Sequence, residues 1–355
     1  MYIIIYVMTK NIFSNLKNNK KTFIIAEAGS NHLQDINRAY RLIDIASRSG
    51  ADAIKFQTFQ ASEIATKNKK YNILKNKFKK YSSNLYDFYQ KFEMPKSFYK
   101  KILKYCKKKK IIFLTSVFGF DSFNFIKMHS PIIKIASFEF NYVELLSEII
   151  ANKKPILIST GCCSDKDVLN LKNFFQKKNY KNFSIMHCGS SYPLKFEDAN
   201  LNYLKKLQKT FPNQIIGYSD HTLGISSCIA AVALGAQIVE KHFTISKNDG
   251  APDSFFSIEE DELSALVRNI RELESSLGSE KKIITKSIRK MKSGTRSYYA
   301  SSNYLKGKKI KPGMFVALRP YVKKSLSSGY YFSFLDRKLK KNIKENEVLK
   351  SHHIK

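Results

Sequence analysis

The stretch Ile215-Ile216-Gly217-Tyr218-Ser219-Asp220-His221, followed by Ile238-Val239-Glu240-Lys241-His242-Phe243-Thr244, decides the reading of this chain. Both segments are apolar and β-prone at their starts and polar at their ends. Between them Ile225–Leu234 carries helical periodicity. Two strands joined by a helix form a βαβ unit, and each histidine sits where a strand gives way to a loop. Two imidazoles at the ends of successive strands make half of a divalent metal site. The competing reading is a pair of structural histidines satisfied by hydrogen bonds.

Outward from this unit the same alternation recurs. Upstream strand candidates are Phe23–Gly29, Ala53–Phe59, Ile111–Val117, Ile132–Ser137, Ile156–Gly161 and Phe183–Gly189. Their continuous apolar centres suit strands buried on both faces of a parallel sheet. The clearest helical segments are Ile36–Ser49, Pro95–Lys109, Tyr142–Ala151, Asp165–Lys178 and, after the last strand, Ile258–Leu277. A series of β-then-α units predicts a (β/α)8 TIM barrel, class α/β, whose chemistry gathers at the C-terminal strand ends. The barrel is expected over 22–278, a basic, serine-rich linker over 279–296, and a small β-rich domain over 297–355. In that last segment Lys306–Gly313 and Asn342–Leu349 read as a weak internal repeat.

Composition narrows the possibilities. The 355 residues are 43% hydrophobic and carry a formal charge of +33, which excludes wholesale disorder. The lysines are spread along the chain instead of forming one face or tail, which argues against a nucleic-acid partner. The densest runs, Lys67 to Lys80 and Lys104 to Lys110, read as solvated faces. Five cysteines without a CxxC pair point to reduced thiols and a cytoplasmic setting. The apolar Met1–Met8 lacks the marks of a signal peptide and is too short to span a bilayer. Residues 1–21 are expected to be a disordered leader, with Met8 as an alternative start.

The strand-end rule selects the candidate site. Lys55, Lys134 and Lys241, with the hydroxyls of Ser116, Ser137, Ser159 and Ser219, would form an anion pocket for phosphate and carboxylate. Glu27 and Glu139 lie among apolar strands, where desolvation moves a carboxyl toward useful acid–base chemistry. Either could equally be a structural partner of Lys55 or Lys134. His32, His129 and His187 lack such support, and His352-His353 reads as a surface pair.

The strings Ala26-Glu-Ala-Gly-Ser-Asn-His32, Ala53-Ile-Lys-Phe-Gln-Thr58, Lys134-Ile-Ala-Ser-Phe-Glu139, Ile158-Ser-Thr-Gly161, His187-Cys-Gly-Ser-Ser-Tyr-Pro193, Gly217-Tyr-Ser-Asp-His-Thr222, Glu240-Lys-His-Phe243 and Gly250-Ala-Pro-Asp253 resemble, in order, those of the sialic acid synthases. The end of the chain, with Leu318-Arg319-Pro320, resembles their antifreeze-like (SAF) domain. The resemblance implies a domain-swapped homodimer that condenses phosphoenolpyruvate with the aldehyde of an N-acylated hexosamine such as N-acetylmannosamine. It implies Mn2+ or Mg2+ on His221 and His242, and phosphoenolpyruvate held by Lys55, Lys134, Ser137, Ser159 and Ser219. Glu27, Gln57, Glu139, Tyr192 and Asp253 would face the sugar, with Glu27 or Glu139 handling protons and Arg319 reaching across from the partner chain.

Some residues depart from the pattern. Ser190 stands where some relatives carry Asn against phosphoenolpyruvate. Leu114-Thr-Ser-Val117 leaves the role of Ser116 open, and Tyr321 replaces a usual Gly. Lys134–Glu139, Ser190–Pro193 and Asp253–Ser257 look closer to pseudaminic acid synthases, which would take a 2,4-diacetamido-2,4,6-trideoxy-altrose. Lys55–Phe59 looks closer to the N-acetylneuraminate and legionaminate branch. Two other readings compete: a Schiff-base aldolase using Lys134 or Lys241, and a non-enzymatic binder of nucleic acid or anionic surfaces.

Overall fold

The computed structural model describes residues 13, 16, 21–68, 78–326 and 331–354. The chain divides into two compact units, Met1–Gly278 and Ser279–Lys355.

In the first unit eight parallel strands close into a barrel in sequential order. They are β1 (Phe23–Gly29), β2 (Ala53–Thr58), β3 (Ile112–Val117), β4 (Ile133–Ile135), β5 (Ile156–Ser159), β6 (Phe183–Cys188), β7 (Ile216–Asp220) and β8 (Ile238–His242). Around them run α1 (Ile36–Arg48), α2 (Ala61–Ile64), α3 (Leu85–Phe92), α4 (Lys96–Lys109), α5 (Phe120–Ile126), α6 (Val143–Ala151), α7 (Asp165–Lys177), α8 (Tyr203–Thr210), α9 (Ser226–Ala233) and α10 (Glu260–Ser276). The TIM barrel is thus the one expected. Helices α3, α5 and α8 escaped the periodicity reading because they are short and carry aromatic or lysine-rich sequences.

Alternation along each strand builds two layers. Outward side chains such as Ile24, Ile54, Ile133, Ile158, Ile185, Tyr218 and Val239 pack under the helices. Inward ones form a separate apolar floor of Phe23, Ile25, Ala53, Leu114, Ile132, Leu157, Met186, Ile215 and Ile238. At about 25 cal/mol per Å2 of apolar surface removed from water, these layers supply the main stabilisation of the fold. Phe13 is buried in the same floor, with Leu16 packed against it. This corrects the expectation of a disordered leader at that position; most of 1–21, Met8 included, lies outside the described residues. The Lys67–Lys80 run also lies mostly outside them. Along Lys104–Lys110, Lys104, Lys107, Lys108 and Lys110 are exposed, as a solvated face requires.

In the second unit β9 (Ser297–Ala300) and β10 (Phe315–Leu318) pair antiparallel. Tyr298, Ile310, Phe315, Phe334, Leu339, Ile343 and Leu349 form its core. The regions of the internal repeat pair reciprocally. The Lys306 N–H donates to Asn342 Oδ1 at 2.7 Å, and the Glu345 N–H donates to Asn303 Oδ1 at 2.9 Å. Tyr304 and Ile343 exchange backbone hydrogen bonds at the centre. His353 is 2% exposed and accepts from the Lys350 N–H, so it is a core histidine of this unit and not a surface residue.

Candidate active site

Each inward-facing series changes character toward the C-terminal end of its strand. Phe23 and Ile25 lead to Glu27, Ala53 to Lys55 and Gln57, Leu114 to Ser116, and Ile132 to Lys134. Leu157 leads to Ser159, Met186 to Cys188, Ile215 to Ser219 and His221, and Ile238 to Glu240 and His242. The apolar floor therefore carries a buried polar layer above it, at the end of the barrel where such folds place their chemistry.

The middle of that layer is a charge network. Lys55 Nζ lies 2.7 Å from Glu27 Oε2 and 3.7 Å from Glu240 Oε2, and donates to Ser116 Oγ at 2.9 Å. Lys134 Nζ donates to Glu240 Oε1 at 2.8 Å, and the Ser219 hydroxyl donates to the same oxygen at 3.0 Å. Gln57 Nε2 donates to Glu27 Oε1 at 3.2 Å. Burial pushes the Glu27 carboxyl up, against the pull of Lys55. Burial acts on Glu240 the same way, but Lys134 and Lys55 outweigh it and hold this carboxyl low.

Beside the network stand the two histidines, their ring centroids 5.4 Å apart. His221 Nδ1 lies 2.7 Å from the Gly189 carbonyl oxygen. A carbonyl only accepts, so Nδ1 carries a proton and Nε2 is the nitrogen left to face an ion. His242 Nδ1 is buried without a hydrogen-bond partner and lies 3.9 Å from Asp253 Oδ2. Burial, followed by His221, holds the His242 imidazole neutral. His242, held neutral with an orphaned buried nitrogen, and the His221 ring 5.4 Å away fit a divalent ion. Among the described residues no group of three or more His, Cys, Asp or Glu encloses an ion. The donor set suits an open site completed by substrate and water.

Around the mouth, the Gly161 N–H donates to Ser137 Oγ at 3.0 Å. Ser159 Oγ, Ser190 Oγ and Glu139 Oε2 are buried without hydrogen-bond partners. A Cβ at Gly161 would come within 2.3 Å of Ser190 Oγ, 2.9 Å of Ser137 Oγ and 3.1 Å of Cys188 Sγ. The missing side chain leaves room for these groups to converge. Burial pushes the Glu139 carboxyl up to about 7. The Tyr192 ring packs on His221, 4.3 Å between centroids, and on Phe256 at 5.2 Å. Asp253 Oδ2 accepts weakly from the Ser30 N–H at 3.4 Å.

Lys241 requires correction. It is one residue out of register with Glu240 and His242, so it faces the helix layer. There it pairs with Asp220 Oδ2 at 2.7 Å and donates to the Thr222 carbonyl. It joins neither the anion pocket nor a Schiff-base site. His32 Nδ1 accepts from the Gln34 N–H, and burial pushes this imidazole down to about 4. His187 Nε2 bonds to the Ala199 carbonyl; both are structural histidines. Arg319 belongs to the second unit and is exposed there. Sequence reasoning missed Glu240 and Cys188 as site residues. The period-two series Ile238-Glu240-His242 was the available signal for Glu240.

The model of the NeuB family matches residues 42–282. The chain belongs to the NeuB family. It is 37% identical over 336 residues to the N,N'-diacetyllegionaminic acid synthase of Campylobacter jejuni, covering 93% of this chain and 99% of that one. It is 32% identical over 337 residues to a pseudaminic acid synthase of the same species, covering 95% and 97%. Among solved structures, the N-acetylneuraminic acid synthetase of Leptospira borgpetersenii, in complex with citrate, is 33% identical. It superposes with a TM-score of 0.67 over 76% of this chain and 90% of that one. As a NeuB-family member with synthase relatives throughout its length, the chain is an enzyme of that kind. Among the described residues no helix is long and apolar enough to cross a membrane.

Proposed function

We propose that this protein is a nonulosonic acid synthase and a transferase. It condenses phosphoenolpyruvate with the open-chain aldehyde of an N-acylated amino sugar and releases phosphate. One observation carries the reading: two lysines, a set of hydroxyls, a carboxyl poised near neutrality and two imidazoles converge at one barrel mouth.

Lys55 and Lys134, with the hydroxyls of Ser137, Ser159, Ser190 and Ser219, bind the phosphate and carboxylate of phosphoenolpyruvate and fix the direction of its double bond. Gln57, Tyr192 and Asp253 orient the sugar so that its aldehyde carbon faces the enol carbon. The C–C bond forms between these atoms, and the aldehyde oxygen takes up a proton. Water then adds at the carbon bearing the phosphate, losing a proton to a carboxylate, and the C–O bond to phosphate breaks. Glu139 suits these proton transfers because its carboxyl titrates near the working pH; Glu27 is the second candidate. His221 and His242 would hold Mn2+ or Mg2+, which when bound supplies Lewis-acid polarisation of the aldehyde oxygen.

We read the second unit as an antifreeze-like domain that presents Arg319 to a partner chain in a domain-swapped homodimer. The reduced cysteines fit a cytoplasmic enzyme. The test is phosphate release from phosphoenolpyruvate with Mn2+ and a panel of sugars: N-acetylmannosamine and the diacetamido-trideoxy hexoses that lead to legionaminic and pseudaminic acids. The 37% and 32% relatives make the diacetamido sugars specific alternatives to N-acetylmannosamine. Release with none of these sugars would sink the proposal.

A further inference from the structure

Glu240 touches three groups that the proposed function gives to phosphoenolpyruvate. It accepts from Lys134 at 2.8 Å and from Ser219 at 3.0 Å through Oε1, and its Oε2 lies 3.7 Å from Lys55. No hydrogen bond satisfies Oε2, although the atom is buried. Glu27 pairs with Lys55 from the other side at 2.7 Å. Glu240 thus already occupies both ammonium groups that an arriving phosphate would use, with the Glu27 carboxyl beside Lys55. A trianionic substrate gains full use of Lys134 only if the bond to Glu240 is given up.

We infer that Glu240 is a positioning residue acting as a resident counter-ion: it holds Lys55, Lys134 and Ser219 in place in the empty site and competes with phosphate for them. This rests on the phosphoenolpyruvate reading above. The device has two physical consequences. Without Glu240 the two lysines would repel each other across a water-poor cavity and lose their common orientation. With it, the network can re-form as product phosphate leaves, so the anion is bound firmly enough to react and loosely enough to depart. Competition of this kind lowers ground-state affinity while leaving the reacting geometry organised.

The experiment measures direct binding of inorganic phosphate and of phosphoenolpyruvate by calorimetry, with wild type, Glu240→Gln and Glu240→Asp. Glu240→Gln keeps the shape and removes the competing charge. It should bind phosphate about tenfold more tightly, the order of one charge-assisted hydrogen bond no longer sacrificed. Its kcat should fall while KM for phosphoenolpyruvate falls with it, a split that general damage to the site would not produce. Glu240→Asp restores the charge and should return phosphate affinity to within about threefold of wild type. Thermal unfolding with and without phosphate guards against an unstable variant: phosphate should raise the Tm of Glu240→Gln more than that of wild type.

Weaker or unchanged phosphate binding in Glu240→Gln, with wild type binding normally, overturns the counter-ion role and leaves the proposed function standing. Failure of wild type to bind either phosphate or phosphoenolpyruvate overturns both.

Discussion

Asp220 Oδ2 and Lys241 Nζ form a fully buried ion pair of 2.7 Å between residues that face each other across β7 and β8. Each precedes a histidine of the site by one position. The side chains point to the helix layer, so the pair binds the two strands together behind His221 and His242. Asp220 is further anchored by Tyr218, Thr222 and Cys228. Removing one partner leaves an uncompensated buried charge, so Lys241→Met should cost about 3–5 kcal/mol in denaturant unfolding. The double variant Asp220→Asn/Lys241→Met should recover part of that loss. Equal stability of Lys241→Met and wild type would contradict this account.

The two histidines differ in what holds them, and their variants should differ accordingly. His242 Nδ1 has no hydrogen-bond partner, so His242→Gln sacrifices no bond at that atom. His221 gives up its bond to the Gly189 carbonyl, which adds about 1 kcal/mol to the cost of His221→Gln. Both should abolish Mn2+ binding measured by titration, and chelation of wild type should stop turnover. Retention of tight Mn2+ binding by His242→Gln would remove this residue from the metal site.

Much of this architecture was legible because two periods dominate the sequence. Apolar cores such as Ile156–Ser159 mark strands buried on both sides, and the strand-end rule then places Lys55, Lys134, His221 and His242 together. Lys241 was misplaced because strand-end position was used without the period-two alternation: one step along β8 moves a side chain from the barrel interior to the helix layer. Glu240 was overlooked for the complementary reason, since its identity as a counter-ion depends on cations contributed by β2 and β4. Phe13 could not be foreseen at the barrel floor. Phe13 and Leu16 stand one helical turn apart, too short a pattern to announce a buried element, and their burial is decided by tertiary contact.

Glu139 gives the stability a definite pH dependence. Its ordinary value is 4.5, and burial in the folded protein takes it to about 7. Below pH 4.5 both states hold the proton, and the stabilising contribution is fully present. Between 4.5 and about 7 the unfolded chain has lost a proton that the folded chain keeps, so stability falls as pH rises. The total change is on the order of 2 kcal/mol after allowance for the partial exposure of this residue. Glu139→Gln should flatten that part of the stability curve and lower kcat by about 100-fold. An unaltered slope in urea melts across this window would show that the carboxyl titrates elsewhere.

Gly161 tests whether the convergence of hydroxyls at the mouth is a binding feature. Its backbone is not in the left-handed region, so alanine meets no conformational penalty there. The added Cβ would nevertheless approach Ser190 Oγ to 2.3 Å and Ser137 Oγ to 2.9 Å. These hydroxyls would have to turn away or the strand ends shift, at a cost of about 1–3 kcal/mol. Gly161→Ala should therefore raise KM for phosphoenolpyruvate about tenfold, with a smaller change in kcat, because it disturbs groups that position the anion in ground and transition states alike. Replacing Ser190 by alanine in the same chain removes the closest clash. The Gly161→Ala/Ser190→Ala variant should then be more stable than Gly161→Ala alone. If it is less stable, the strain does not lie between Gly161 and Ser190, and the cradle is not built as described.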